Sequence, residues 1–372
     1  MRIEKVEAFL LSFPFRAEFT ITRGPVRGER VYVKITADDG TEGWGEASPV
    51  RSWSYETPES VLSTIEKYLG PAIVGMDPFD LASIHEVMDR EIAPAFNMGQ
   101  PIAKSAIDMA LHDLICKKLG ITLRDFLGAK RADRVELTWM VSAKDPSEAE
   151  RITAEGLERG HKGFKVKIGI HGEDVDIEIL RAVRRVAGEG AFIWADANQG
   201  YTLDTALRQA RRMEEIGVDF LEQPLPANDW TGMRALIEAS PVPVALDEGV
   251  YSPKELLEAI NFLGARAVVI KVSKAGGLWF ARQMVELAQA AGMEVLGSGL
   301  TESRLGFAAS CQLFAAYGLR WPADLNGPQF MADDAVRDGD VRVEDGAALL
   351  PERPGLGVEL DPEKFEAFLV RG

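Results

Sequence analysis

The chain reads as an α/β protein: an eight-stranded parallel barrel preceded by a mixed α+β domain. Three observations predict it. From about residue 134 short apolar segments alternate with amphipathic ones, strand then helix, without a break. The charged residues that close successive segments, Lys167, Asp196, Glu222, Asp247 and Lys271, are separated by 29, 26, 25 and 24 residues, the length of one strand–helix unit. Before residue 125 the order differs, with strand-like segments first and helices after them. A doubly wound open sheet shares the strand–helix rhythm, but the GxGxxG turn or phosphate loop expected of it is not found.

Local chemistry sets each element. "RIEKVEAFLL", "ERVYVKITADDG" and "TEGWGEA" predict a three-stranded antiparallel meander with "DDG" as a turn. "PESVLSTIEKYLG", "PFDLASIHEVMDREI" and "PIAKSAIDMALHDLICKKLG" predict helices, with apolar residues at three- and four-residue spacing, starts near proline and stops at glycine. The barrel strands are expected at "RVELTWMV", "GFKVKIG", "AFIWADAN", "VDFLEQP", "VPVALDE", "RAVVIKVS", "MEVLGSG" and, last, near "RWPADLN". "VRVEDGAALLPERPGLGVELDPEKF" returns to short strands and turns, and is expected to pack back on the N-terminal domain. The boundaries expected are an α+β domain over 1–125, the barrel over 126–325 and the returning segment over 326–372.

Bulk properties narrow the partners. A chain of 372 residues with 46% hydrophobic content can bury a large core. Its 42 Lys and Arg against 58 Asp and Glu leave a net charge of −16, which argues against nucleic acid. Glu4, Lys5 and Glu7 interrupt the apolar opening, and no segment reaches the length of a bilayer, so a soluble, cytoplasmic protein with no membrane partner is expected. Cys116 and Cys311 lack metal or redox spacing and are expected to be buried thiols.

In a barrel of this kind the active site lies at the C-terminal ends of the strands. Three neighbouring strands each end in a carboxylate: Asp196 in "WADANQGY", Glu222 in "FLEQPLP" and Asp247 in "ALDEG". Singly, each reads as a helix cap or a loop ion pair. Together they offer three hard oxygen ligands, the set that suits Mg²⁺, with Mn²⁺ as its substitute. "GFKVKIG" puts Lys165 and Lys167 on one face of strand two, which in isolation is a solvated edge strand. Lys271 in "VVIKVSKAGG" ends strand six, diametrically opposite strand two, so Lys167 and Lys271 would flank a substrate held between them. A lysine that takes a proton must be neutral, and both the like charge of Lys165 and a nearby cation would depress its pKa. Lys274, beyond the strand end, reads as a loop or helix-capping residue. Such a site suits abstraction of the proton beside a carboxylate, where positive charge stabilises the enediolate.

With these residues in place the sequence resembles the enolase superfamily over essentially its whole length. The motifs "KVK", "DAN", "EQP", "DE" and "IKVSKAGG" resemble the muconate lactonizing enzyme subgroup. The resemblance implies a modified TIM barrel, (β/α)7β, with an N-terminal α+β capping domain completed by the C-terminal segment. It implies magnesium ligation by Asp196, Glu222 and Asp247, supported by their neighbours Asn198 and Glu248, and acid/base roles for Lys167 and Lys271 with Lys165 beside them. The mandelate racemase branch uses a late histidine, whereas His85, His112, His161 and His171 all precede strand three. Two further matches resemble dipeptide epimerases of the L-Ala-D/L-Glu type. In "FTITRG" Arg23 corresponds to the arginine that receives an acidic side chain. In "ADLNGP" Asp324 matches the first acid of a DxD pair that binds an ammonium group, with Asn326 in place of the second. Glu302 in "GLTESRLG" fits many members of the subgroup, and Arg51 and Trp53 read as lid or exposed turn residues. The expectation is a magnesium-dependent isomerase, a homo-oligomer, that epimerises a dipeptide or amino-acid derivative through two lysines. Muconate cycloisomerisation, reactions of proline-like or N-acyl amino acids, o-succinylbenzoate synthesis and a binding protein without turnover are the alternatives.

Overall fold

Antiparallel pairing builds the N-terminal sheet: Ile3–Ser12 pairs with Glu29–Ala37, which pairs with Glu42–Ala47. The computed structural model describes residues 1–16, 20–21, 24–95, 97–128 and 131–371. At the "DDG" turn Ala37 N–H bonds Thr41 O, and Gly40 takes the φ of 83° that closes it. Gly43 and Gly45 let the long capping helix Pro101–Leu119 lie directly on the third strand, since a Cβ there would sit 2.1 Å from Ala110 O or 2.0 Å from Ala106 O. Proline opens this helix and left-handed Gly120 ends it. It is buried on all sides from Pro101 to Cys116 because barrel residues cover its outer face. That is more than an amphipathic spacing implies.

Among the described residues seven parallel strands pair in sequence order: Thr138–Val141, Gly163–Lys167, Phe192–Asp196, Phe220–Glu222, Val244–Leu246, Ala267–Lys271 and Glu294–Ser298, numbered here barrel strands 1 to 7. Two of the expected strands are corrected. The eighth shrinks to two bridging residues: Ala323 joins Leu137 at one edge and Asp324 joins Ser298 at the other, closing the barrel. Pro322 has no N–H to donate, and Gly327–Phe330 already winds into a helical turn. The first divides: Arg134–Glu136 pairs antiparallel with Ala347–Leu349 outside the barrel, and only Thr138–Val141 lies within it.

The returning segment therefore meets the barrel's entrance as well as the N-terminal sheet. On that sheet, Phe365 and Phe368 of helix Pro362–Phe368 stand 5.3 Å from Phe9 and Phe13 respectively. Phe192, Phe220 and Trp321 pack ring against ring among the inward residues of the barrel. Cys116 and Cys311 are free and buried. Among the described residues no helix is long and apolar enough to cross a membrane.

Candidate active site

Strand register brings the charged residues to one rim. Lys167 is the parallel partner of Asp196, and Asp196 of Glu222. Asp247 follows strand 5 by one residue, and Lys271 closes strand 6 opposite strand 2. Lys165, Lys167, Lys271, Asn198, Asp324 and Asn326 line one small cavity of about 40 Å³ together with Trp53, Met140 and Leu300. A larger cavity, about 550 Å³, lies elsewhere, between Trp139, Arg151, Arg159 and Phe330. None of the strand-end carboxylates or lysines faces it, so the chemistry belongs to the smaller one.

Asp196, Glu222 and Asp247 are fully buried, and each is met by lysine. Lys167 Nζ donates to Asp196 Oδ2 at 2.6 Å and to Asn198 Oδ1 at 2.9 Å. Lys271 Nζ donates to Asp247 Oδ2 at 2.5 Å, and its ammonium lies 4.2 Å from the centre of the Trp53 ring. Lys165 Nζ stands 3.1 Å from Asp196, 2.9 Å from Glu222 and 2.9 Å from Asp324, over the ring of Trp194. Burial, the largest influence on Lys165, lowers its pKa, but those carboxylates outweigh it and hold the amine well above the usual lysine value. Lys165 is thus a fixed counter-charge for three carboxylates rather than a lone cation beside Lys167. Lys271 is raised in the same way: burial is the largest influence and lowers it, but Asp247, Glu222 and Glu248 together outweigh it. Asp196 falls to about 2 because Lys167 and Lys165 overcome its burial, while Glu222 rises through burial and its neighbour Asp196.

Supporting residues lock the carboxylates. Asn198 donates through Nδ2 to Glu248 Oε1 at 3.1 Å, and burial with Asp247 pushes Glu248 up to about 7. Gln223, which sequence reasoning passed over, takes a φ of 34° and accepts Asp247 N–H at 2.9 Å, joining the ends of strands 4 and 5. Lys274 lies in the turn after strand 6, as a loop residue should, but it is fully buried, and its ammonium donates to Asp247 Oδ1 at 2.7 Å, Asp247 O at 2.8 Å and Val269 O at 2.9 Å. A turn folded back beneath Asp247 puts it there, and its three-residue spacing from Lys271 was the available signal. Trp53 is buried at the cavity, while Arg51 is exposed.

The substrate-side candidates divide. Asp324 pairs with Lys165 and accepts from Ser298 Oγ at 3.2 Å and from Asn326 Nδ2 at 3.2 Å. Asn326 Oδ1 is buried with no partner. Glu302 is buried behind the cavity wall, where a Cβ on Gly299 would meet its Oε2 at 2.2 Å, and it accepts from Ser273 Oγ. Arg23 lies outside the described residues.

The donor set was tested for a divalent cation. Among the described residues no three acidic or histidine side chains are gathered at ligand spacing as they stand, and Lys167 and Lys271 pair with Asp196 and Asp247. The chemistry still fits. Glu222 Oε2 lies 2.9 Å from Lys165 without the angle of a hydrogen bond, and Glu248 Oε2 is also unpartnered. With all ionised, five carboxylates (Asp196, Glu222, Asp247, Glu248, Asp324) face four ammoniums (Lys165, Lys167, Lys271, Lys274), an excess of one negative charge. A substrate carboxylate makes it two, which a divalent cation on Asp196, Glu222 and Asp247 would balance.

Known proteins are similar to this chain over nearly its whole length. Residues 7–128 match the mandelate racemase / muconate lactonizing enzyme N-terminal domain, and residues 148–364 match the enolase C-terminal domain-like family. Chloromuconate cycloisomerase CbnB of Cupriavidus necator is 30% identical over 373 residues, 99% of each chain. L-Ala-D/L-Glu epimerase of Bacillus subtilis is 30% identical over 361 residues, 96% of this chain and 97% of that one. Among solved structures, muconate lactonizing enzyme from Pseudomonas fluorescens complexed with muconolactone has a TM-score of 0.94 at 26% identity over 99% of each chain. N-succinyl Arg/Lys racemase from Bacillus cereus has a TM-score of 0.93 at 28% identity, over 100% of this chain and 99% of that one.

Proposed function

This chain belongs to the muconate lactonizing enzyme subgroup of the enolase superfamily and is an isomerase, and from that premise we propose that it racemises or epimerises an N-acylated amino acid, a dipeptide included. Lys167 serves one face of the α-carbon and Lys271 the other. The observation that carries this reading is the convergence of two amines, from strands four apart around the barrel, on one cavity, each amine bonded to a strand-end carboxylate behind the cavity wall.

In each direction one lysine enters neutral and takes the α-proton, and the other enters as an ammonium and returns a proton to the opposite face. Family members generally use a divalent metal, typically Mg²⁺; Asp196, Glu222 and Asp247 would hold it, and it would supply positive charge for the substrate carboxylate. Trp53, Met140 and Leu300 keep bulk water from the reacting carbon. Asn326 supports an amide-bearing substrate over muconate. Its Nδ2 is committed to Asp324, so its free Oδ1 presents an acceptor, and muconate has no N–H to offer it. Asp324, already paired with Lys165, has less capacity for a free ammonium than its sequence motif suggests.

The test is deuterium exchange in heavy water with magnesium, across N-acyl amino acids, dipeptides and muconate. Lys167→Ala should stop α-exchange from one stereoisomer and Lys271→Ala from the other, each by about 10²- to 10⁴-fold. Asn326→Ala should lower kcat/KM for amide substrates by about tenfold, the value of one buried hydrogen bond. If either lysine variant still interconverts both isomers at the normal rate, the two-base reading fails. Lactone formation from muconate with no exchange into any amide would replace it with cycloisomerisation.

A further inference from the structure

Among the described residues, five of the seven barrel helices are capped by their own leading side chain: Asp145, Thr202, Asp229, Ser252 and Ser303 each accept an N–H of the first turn. The two exceptions follow the strands that end in Lys167 and Lys271, and they start after Gly172 and Gly277. Helix Glu173–Ala187 has Glu173, Asp174 and Asp176 in its first turn to offset the loss. Helix Leu278–Ala290 has no acid there.

Its cap comes from the capping domain. Asp108, midway along helix Pro101–Leu119, accepts Leu278 N–H at 2.5 Å and stands 3.4 Å from Trp279 N. Gly277 makes the approach possible, since with a φ of 120° it has no Cβ to meet the carboxylate, and one placed there would lie 2.3 Å from Asp108 Oδ1. Two histidines fix the carboxylate: His85 Nε2 is 2.8 Å from Oδ2, and His112 Nδ1 is 3.3 Å from Oδ1 while bonding Asp108 O at 2.8 Å. One turn earlier on the same helix, Ser105 Oγ donates to Val272 O at 3.4 Å. Between those two points the turn closes on itself through Ala275 N–H to Lys271 O and Gly277 N–H to Val272 O, both at 3.0 Å. The capping helix thus grips both ends of the turn that follows Lys271. Asp108 is fully buried and is not among the residues that line the cavity, so whatever it does for chemistry passes through this turn.

We propose that Asp108 is a positioning residue for Lys271: it caps a barrel helix across the domain boundary and so fixes the turn that aims one of the two amines. The inference rests on the reading that Lys271 serves one face of the substrate. Its test therefore carries a readout that does not. In Asp108→Ala, amide hydrogen exchange over 272–279 should speed up by about tenfold, the usual consequence of a lost cap, with strand Gly163–Lys167 unchanged. Deuterium exchange into the isomer served by Lys271 should fall by about ten- to a hundredfold, and into the other isomer by less than about twofold. Asp108→Asn keeps an acceptor for Leu278 N–H and should recover most of both properties. If Asp108→Ala does not fold, Asp108→Asn and Ser105→Ala carry the same comparison with smaller changes. Equal slowing on both faces, or unchanged amide protection over 272–279, overturns the proposal. If the native protein exchanges neither isomer, the substrate reading has failed, and amide protection alone decides whether the grip exists.

Discussion

The two halves of the barrel rim hold their lysines by different means. On the Lys167 side the barrel braces itself: Asp176 accepts Gly169 N–H at 2.9 Å and Tyr201 OH at 2.7 Å, tying the turn after strand 2 to the loop after strand 3. On the Lys271 side the capping domain does the bracing, through Asp108, Ser105 and Trp53, and Glu46 repeats the device one helix later by accepting Ser303 N–H and Gly306 N–H. One lysine therefore depends on contacts within the barrel and the other on a domain interface. The site is a joint product of the two domains, and each face of a substrate can be disturbed separately.

The largest effect should come from removing a carboxylate. Their burial and lysine pairing give these carboxylates a part in stability as well as in turnover. Asp247 alone neutralises two buried amines, Lys271 and Lys274, whereas Asp196 alone neutralises one, Lys167, and shares Lys165 with Glu222 and Asp324. Alanine at Asp196, Glu222 or Asp247 should abolish turnover. Asp196→Ala, which leaves Lys167 alone, should also cost about 3–5 kcal/mol of stability, the penalty for a buried charge left unpaired, and Asp247→Ala, which leaves two, should cost more. Urea unfolding of the two variants measures this, and an equal loss would remove the asymmetry.

A smaller effect is expected within the barrel's own brace. Asp176→Ala leaves Gly169 N–H and Tyr201 OH without their acceptor and should cost about 1–3 kcal/mol. Its exchange defect should fall on the Lys167 face, the mirror of the Asp108 result. Tyr201→Phe, which keeps the Gly169 bond, should cost no more than about 1.5 kcal/mol. A defect in Asp176→Ala confined to the Lys271 face would break the division of the rim.

What was legible in the sequence was local or periodic. Alternation exposed Lys165 and Lys167 on one strand face, and the repeat of strand–helix units put Asp196, Glu222 and Asp247 at neighbouring strand ends, where the structure also has them. The rest depends on contacts between distant segments, which no pattern within one window encodes. Asp108 reads as one polar residue on an apolar helix until Leu278 lies against it, 170 residues away. Lys274 reads as a loop cation until the turn folds it under Asp247. The eighth strand lies where "RWPADLN" put it, but its closing role needs only Ala323 and Asp324, too few residues for a periodic signal to give its length.

The last prediction uses pH to separate the halves. Glu56 follows the Trp53 segment and accepts Ile102 N–H at 2.9 Å and Ala103 N–H at 3.0 Å, anchoring that segment to the start of the capping helix. Burial is the largest influence on its carboxyl and raises it from 4.5 to about 7, against the opposing pull of those two amides and of Lys104. A carboxyl raised in the folded state keeps its proton there at pH values where the unfolded chain has lost it. Its contribution therefore favours the fold most below about pH 4.5 and declines as pH rises to about 7, by about 3 kcal/mol in all. Glu56→Gln, neutral throughout, should flatten this decline, and the difference in unfolding free energy between the two proteins should change with pH across that window. Above it, ionised Glu56 should loosen the Trp53 segment over Lys271 and leave the Lys167 turn as it was, which amide exchange at pH 6 and pH 8 can compare directly. A difference that stays constant from pH 4.5 to 8 would mean that Glu56 does not titrate there, and that the Lys271 half owes no pH sensitivity to this anchor.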